Sequence, residues 1–476
     1  MSFGKGGKSR KKRVKRLYAL LGVLAVVCVA TLIVVQYEQE KEEIRTSGEV
    51  VLEVDADAVE TLSWENESES LAFHKEDGWV YDGDAAFPVS EDKISELLDV
   101  FSSFSAAFII EDVTDEGQYG LDDPVCTINL STADTDYEIR LGDYSTMDSQ
   151  RYVSLGDGKV YLAATDPLDY FDATLRDMIE NDETPDFGQV DSISFDGADS
   201  YEVTYQAYTE DSAYTYCSED VYFTPQDDTM LPLDTSRVES YLGSISGLSL
   251  TDYVTYNASG EELAQYGLDD PELSVSVTYT PEDSEETAEF TLHISRDPEE
   301  REAAENETEE NGEEEEITAY ARVGDSPILY RIDGDSYKAL MAAGYDDLRH
   351  YEVLTADFAD ITGFDITLEG ESYAITSEGS GEDKTFYYGE EELDTADLQS
   401  ALENLSAASF TDEAPDQKEE ISLTVHLDNE AHPTVQITLY RYDGEQCLAV
   451  IDGTPVSLIP RSSVVDLIEA VNTIVL

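Results

Sequence analysis

The same apolar pattern is written three times along this chain, and any fold it adopts must accommodate all three copies. Ile94, Leu97, Leu98, Phe101 and Phe104 sit at offsets 0, 3, 4, 7 and 10. Val238, Tyr241, Leu242, Ile245 and Leu248 repeat those offsets, as do Leu398, Ala401, Leu402, Leu405 and Ala408. Such spacing lines one face of a helix with a period of about 3.6 residues and leaves the other face to water. Four residues before each stripe stands Ser90, Asp234 or Asp394, whose side-chain oxygen can cap free backbone N–H groups. Before each cap stands Val89, Leu233 or Leu393, placed to close a hydrophobic staple. Cap, staple and stripe agreeing at three places mark three related units.

Strand-forming sequence surrounds each helix. Trp79-Val80-Tyr81, Val221-Tyr222-Phe223 and Phe386-Tyr387-Tyr388 precede the three helices. Pairs of segments with apolar residues at every second position follow them, as half-buried strands require. Cys126, Ile128 and Leu130 lead to Tyr137, Ile139 and Leu141; Leu273, Val275, Val277 and Tyr279 lead to Phe290, Leu292 and Ile294; Ile421, Leu423, Val425 and Leu427 lead to Val435, Ile437 and Leu439. Hairpins are predicted from Tyr152 to Leu162 around Gly156-Asp157-Gly158, from Tyr320 to Ile332 around Gly324-Asp325, and from Leu448 to Ile459 around Asp452-Gly453. Closing helices start near Pro167, Ser336 and Ser462. The expectation is an α+β fold of three β-rich units, 50–180, 187–350 and a divergent 351–476. Each has a capped amphipathic helix packed on a largely antiparallel sheet. One segment breaks the order: eleven Glu lie between Glu299 and Glu316, and 298–317 is expected to be a disordered acidic loop.

The N-terminus adds a membrane segment to this plan. Eight basic side chains occupy residues 1–16, and the nineteen residues from Leu17 to Val35 carry no charge. At about 1.5 Å per residue the run nearly matches a hydrocarbon core of roughly 30 Å. It exceeds the roughly 7–15 residues of a cleaved signal's apolar region, and Gln36-Tyr37-Glu38 offers no small-residue cleavage site. The basic arm predicts a cytoplasmic N-terminus, a single-pass helix at 17–35, a polar stalk at 36–49 and an extracytoplasmic bulk in the cell membrane. That bulk holds 19 Lys and Arg against 107 Asp and Glu. Such a surface repels nucleic acid and anionic lipid, while gathering divalent cations weakly and without a dedicated site. Cys28, Cys126, Cys217 and Cys447 have neither metal nor redox spacing and do not form a disulfide framework.

Two units share a six-residue identity, Tyr119-Gly120-Leu121-Asp122-Asp123-Pro124 and Tyr266-Gly267-Leu268-Asp269-Asp270-Pro271. It reads as a turn into the alternating strand. Gly permits a positive φ, Leu pins the turn to the core, Pro extends the Asp before it, and the Asp side chains can accept from turn amides. The third unit has Pro415-Asp416-Gln417-Lys418-Glu419 in its place. The single membrane helix, the Trp-containing strand, the capped helix and this turn together resemble the domain-of-unknown-function family 4340. The resemblance spans nearly all of the bulk, most clearly Val50–Glu180 and Phe187–Asp347. It implies an extracytoplasmic accessory protein, some members being associated with gliding-motility-type ABC transporters, and carries no catalytic residues over.

No Walker A loop, HExxH, GxSxG or EF-hand sequence is present. His74, His293, His350, His426 and His432 are scattered and read as surface residues, with His293 and His426 on the outward faces of strands. Neither a catalytic residue, a cofactor site nor a metal site is assigned. The leading expectation is a membrane-anchored, non-catalytic interaction module whose partners are membrane proteins such as ABC transporter subunits. The alternatives are a carboxylate-dependent envelope hydrolase and a cation-dependent adhesin or polymer binder, for which Asp122/Asp123 and Asp269/Asp270 would be the repeated cation ligands.

Overall fold

The computed structural model describes residues 48–111, 113–209, 211–226, 229–282, 284–306, 317–379 and 384–475. The basic arm, the membrane helix expected at 17–35 and nearly all of the stalk lie outside them. Among the described residues no helix is long and apolar enough to cross a membrane.

The described strands form three nine-stranded sheets. One compact body ends at Asn181 and holds the first sheet; a second begins at Asp182 and holds the other two. Across the first sheet the order is Trp79–Tyr81, Ser70–Lys75, Val59–Asn66, Cys126–Thr132, Asp136–Ser145, Gln150–Ser154, Val160–Ala163, Phe104–Ile110 and Glu49–Leu52. The second runs Thr229–Pro232, Tyr222–Gln226, Tyr201–Tyr205, Gln189–Gly197, Leu273–Thr280, Ala288–Arg296, Ala319–Val323, Leu329–Ile332 and Tyr253–Thr255. The third runs Glu391–Leu393, Thr385–Tyr388, Glu371–Glu378, Ile361–Leu368, Glu419–Leu427, Thr434–Arg441, Gln446–Ile451, Thr454–Pro460 and Ser409–Phe410.

One topology underlies all three. The chain meanders outward from a central strand, crosses by a helix to the opposite side, and adds a strand there. It then returns to the centre and meanders out to meet that strand. The two central strands of each sheet pair antiparallel, as Leu62 does with Leu130, Ile193 with Val277 and Ile366 with Leu423. Alternation sets the faces: in Leu273–Thr280 every odd-numbered residue is buried. The crossing helices Glu91–Ser102, Thr235–Ser246 and Ala396–Glu403 each pack against their closing helix. In the second unit the Tyr241 hydroxyl donates to Leu340 O at 3.0 Å.

The helical stripes are shorter than their spacing predicts. Ile94, Leu97, Leu98 and Phe101 are buried on the first helix, but the chain turns extended at Ser103 and Phe104 opens the next strand. Gly247 and Asn404 terminate the other two helices, so Leu248 and Leu405 reach the core from beyond them. Ala408 is exposed, and its N–H donates to Leu458 O just before the strand Ser409–Phe410. Side-chain capping also departs from the sequence reading at two of three sites. Asp234 accepts from Ser236 N and Arg237 N, whereas Ser90 makes no cap hydrogen bond. The third helix begins one residue late behind Thr395, and Asp394 accepts only from Ala396 N, at 3.2 Å.

The segment expected to be an acidic loop starts as a helix, Pro298–Asn306. Pro at the first helical position and Glu299 and Glu300 in the first turn suit a helix N-terminus. Residues 307–316 lie outside the described residues.

Candidate functional site

The repeated turn brings its Gly and Leu residues to closely similar positions in the two bodies. Gly120 and Gly267 have φ of +71° and +70°. Leu121 and Leu268 are buried beneath them. The leading tyrosine of each turn packs on a tyrosine of the following hairpin, Tyr119 on Tyr152 at 4.9 Å between centroids and Tyr266 on Tyr320 at 4.7 Å. Arg140 Nη1 donates to Leu121 O at 3.1 Å, and Arg301 Nη1 donates to Asp270 O at 3.2 Å. Asp122, Asp123, Asp269 and Asp270 are exposed. Their carboxylates accept no hydrogen bond from described residues, so the turn is held by its backbone and its arginine. Beside the second turn lies a cavity of about 630 Å³, lined in part by Asp269, Pro271, His293, Arg301 and Arg322. His293 shares a 2.8 Å hydrogen bond with Ser274. Burial, aided by the nearby Arg322 guanidinium, holds the His293 pKa below its ordinary value.

A second constellation has no sequence signature, and it centres on the histidine least like a surface residue. His350 lies where the second repeat leads into the third, with its side chain 18% exposed. Its Nε2 is 2.8 Å from Oδ1 of Asp220, which is 1% exposed. Asp220 Oδ2 accepts from the Thr215 hydroxyl at 2.6 Å, and Thr215 Oγ1 accepts from Cys217 N at 2.9 Å. Both Asp220 oxygens are therefore engaged inside the protein. On the opposite edge of the ring, Nδ1 lies 4.0 Å from Asp234 Oδ2 and 3.9 Å from Glu352 Oε2. Burial works against a protonated His350, but the hydrogen bond and charge of Asp220, with Asp234 and Glu352, outweigh it and raise the imidazole pKa.

Each member is placed by the fold. Asp234 is the N-cap of the crossing helix, and its own N–H donates to Leu348 O at 3.0 Å. Glu352 pairs with Ser406 in an isolated antiparallel bridge, and Val353 N donates to Leu405 O. Asp220 closes a long connection between Tyr201–Tyr205 and Tyr222–Gln226 that reaches the third repeat. Along it, Tyr216 packs against the third core and Ser212 O contacts His432 Nε2 at 3.1 Å. Two arginines flank the cluster on aromatic rings, Arg237 over Tyr351 at 3.7 Å and Arg349 over Phe410 at 4.3 Å. Two partners of His350 come from 116 and 130 positions upstream, so no local spacing could have revealed them; only Glu352, two residues on, is a neighbour in sequence.

A family model described as "Domain of unknown function (DUF4340)" matches the chain twice, over residues 79–254 and 224–424. Both matches begin in the aromatic strand that precedes a crossing helix and run on into the next repeat. No curated protein and no solved structure matches the chain. The two family matches together cover well over half of the sequence, and the chain belongs to the DUF4340 family.

Proposed function

We propose that this chain is a membrane-tethered, extracytoplasmic and non-catalytic interaction module, an accessory subunit of an ABC-type transporter or a comparable envelope complex. The observation that carries this reading is the uncharged run Leu17–Val35 behind its basic arm, which would hold the protein permanently beside membrane-embedded partners. Its acidic bulk disfavours nucleic acid and anionic lipid as partners and leaves proteins as the natural ones.

The first described strand after that run supports the same reading. Among the described residues Glu49–Leu52 is a sheet edge, with backbone groups on one side open to a further strand. Its neighbour Phe104–Ile110 slips register between Ala106 and Phe108, and Phe108 is 63% exposed. An aromatic residue standing out of so acidic a surface is suited to bury against a partner.

The test is site-specific photo-crosslinking from position 108 of the full chain in native membranes. Adducts with transporter permease or ATPase-docking subunits, lost in Phe108→Glu, are expected. Adducts formed only between copies of the chain, or with no transporter component, would overturn the assignment.

A further inference from the structure

The two edges of the His350 ring face different surroundings, and the difference points to a metal ion. Asp220 is acceptor-only, so Nε2 of His350 carries the hydrogen in their 2.8 Å contact. A neutral ring then turns the Nδ1 lone pair toward Asp234 Oδ2 and Glu352 Oε2. At 4.0 and 3.9 Å both oxygens are beyond the roughly 2.7–3.2 Å of an N–H···O bond. Three electron-rich atoms thus converge within 4.8 Å of one another. That grouping calls for a positive charge among the three atoms, which a proton on Nδ1 or a metal ion can supply.

Around a tetrahedral ion with bonds of about 2.0–2.2 Å, neighbouring ligand atoms are about 3.3–3.6 Å apart, so the two histidine–carboxylate separations need to contract by about half an ångström. The buried carboxylate on the far ring nitrogen is the arrangement that fixes the tautomer of a metal-ligating histidine and raises its basicity. Arg237 Nε lies 3.4 Å from Asp234 Oδ2, longer than a strong charge-assisted bond. The Tyr351 ring holds that guanidinium, which leaves the oxygen able to take a second partner.

We propose that Asp234, His350 and Glu352 bind one divalent transition-metal ion of the zinc type, oriented through Asp220. The ion clasps the crossing helix of the second repeat to the first segment of the third. An imidazole in the ligand set selects zinc and its neighbours over Ca²⁺ or Mg²⁺, which the acidic surface gathers without a site. This assignment is independent of the transporter reading.

The experiment is titration of the detergent-solubilised, chelator-treated full chain with Co²⁺ in millimolar Ca²⁺, read by visible absorption and bound-metal stoichiometry. The variants are Glu352→Gln, at a half-exposed position that leaves the fold intact, and His350→Gln, which keeps a donor for Asp220. One Co²⁺ per chain, displaced by Zn²⁺, is expected. Affinity should fall about tenfold or more in Glu352→Gln and the ligand-field bands should vanish in His350→Gln. Co²⁺ uptake that Ca²⁺ abolishes, or that is equal in all three proteins, would overturn the site. So would a His350 imidazole whose NMR titration is unchanged by Zn²⁺, because a proton alone would then occupy the position.

Discussion

His350 Nε2 and Asp220 Oδ1 meet at 2.8 Å although 130 residues separate them in sequence. The carboxylate is 1% exposed and the imidazole 18%, so the pair is shut away from water and joins two repeats of the second body.

Removing the acid should therefore cost far more than a surface ion pair would. Asp220→Ala leaves both His350 and the Thr215 hydroxyl without their acceptor, and breaking such a buried pair costs about 3–5 kcal/mol. Asp220→Asn keeps one acceptor oxygen and should lose less. Urea denaturation of the metal-free full chain measures both, and equal midpoints for wild type and Asp220→Ala would refute the account.

The two turn glycines should differ in their tolerance of alanine. Both occupy positive φ, where a side chain costs about 1–3 kcal/mol. A Cβ on Gly120 would also lie 2.8 Å from the backbone N of Asp143, which cannot move without shifting its strand. On Gly267 the nearest atom, at 2.7 Å, is the Ser295 hydroxyl oxygen, which a rotamer change can withdraw. Gly120→Ala is expected to lower its unfolding midpoint more than Gly267→Ala lowers its own, as proteolysis at increasing denaturant would show.

Acid should weaken the second turn through His293. Burial, aided by Arg322, holds its folded pKa below the value of about 6.5 in the unfolded chain. The unfolded state therefore binds the extra proton first. The neutral ring's contribution is fully present above about pH 6.5 and declines as pH falls through the depressed folded value. His293→Gln should flatten the pH dependence of stability in that acid window, and an NMR titration midpoint at or above the ordinary histidine value would contradict it.

Thiol reactivity should be silent in the folded bodies. Cys126, Cys217 and Cys447 are free and buried. Burial is the largest influence on each thiol pKa, which is pushed up to about 12, about 12 and about 11. Thiolate is the reactive form, so a disulfide reagent should label these three only after denaturation, with Cys28 counted separately. Fast labelling of Cys217 in the native protein would mean that the Asp220 loop opens.

What the sequence by itself determined is what repeats over short distances. A period of 3.6 placed Ile94–Phe101 and Val238–Ile245 on buried helical faces, and a period of two placed Leu273–Tyr279 on a buried strand face. Asp-Gly and Gly-Asp turns marked the hairpins, because glycine supplies the backbone angles a tight reversal needs. Only the tertiary structure decided that the chain after each crossing helix lies on the far side of the sheet, which took Phe104 and Ala408 out of their helical stripes. It also turned the first part of the acidic run into the helix Pro298–Asn306. Above all it chose, among 107 acidic residues, the three that surround His350. Periodicity is a property of neighbours along the chain, whereas a buried histidine's partners are set by which surfaces the folded repeats press together.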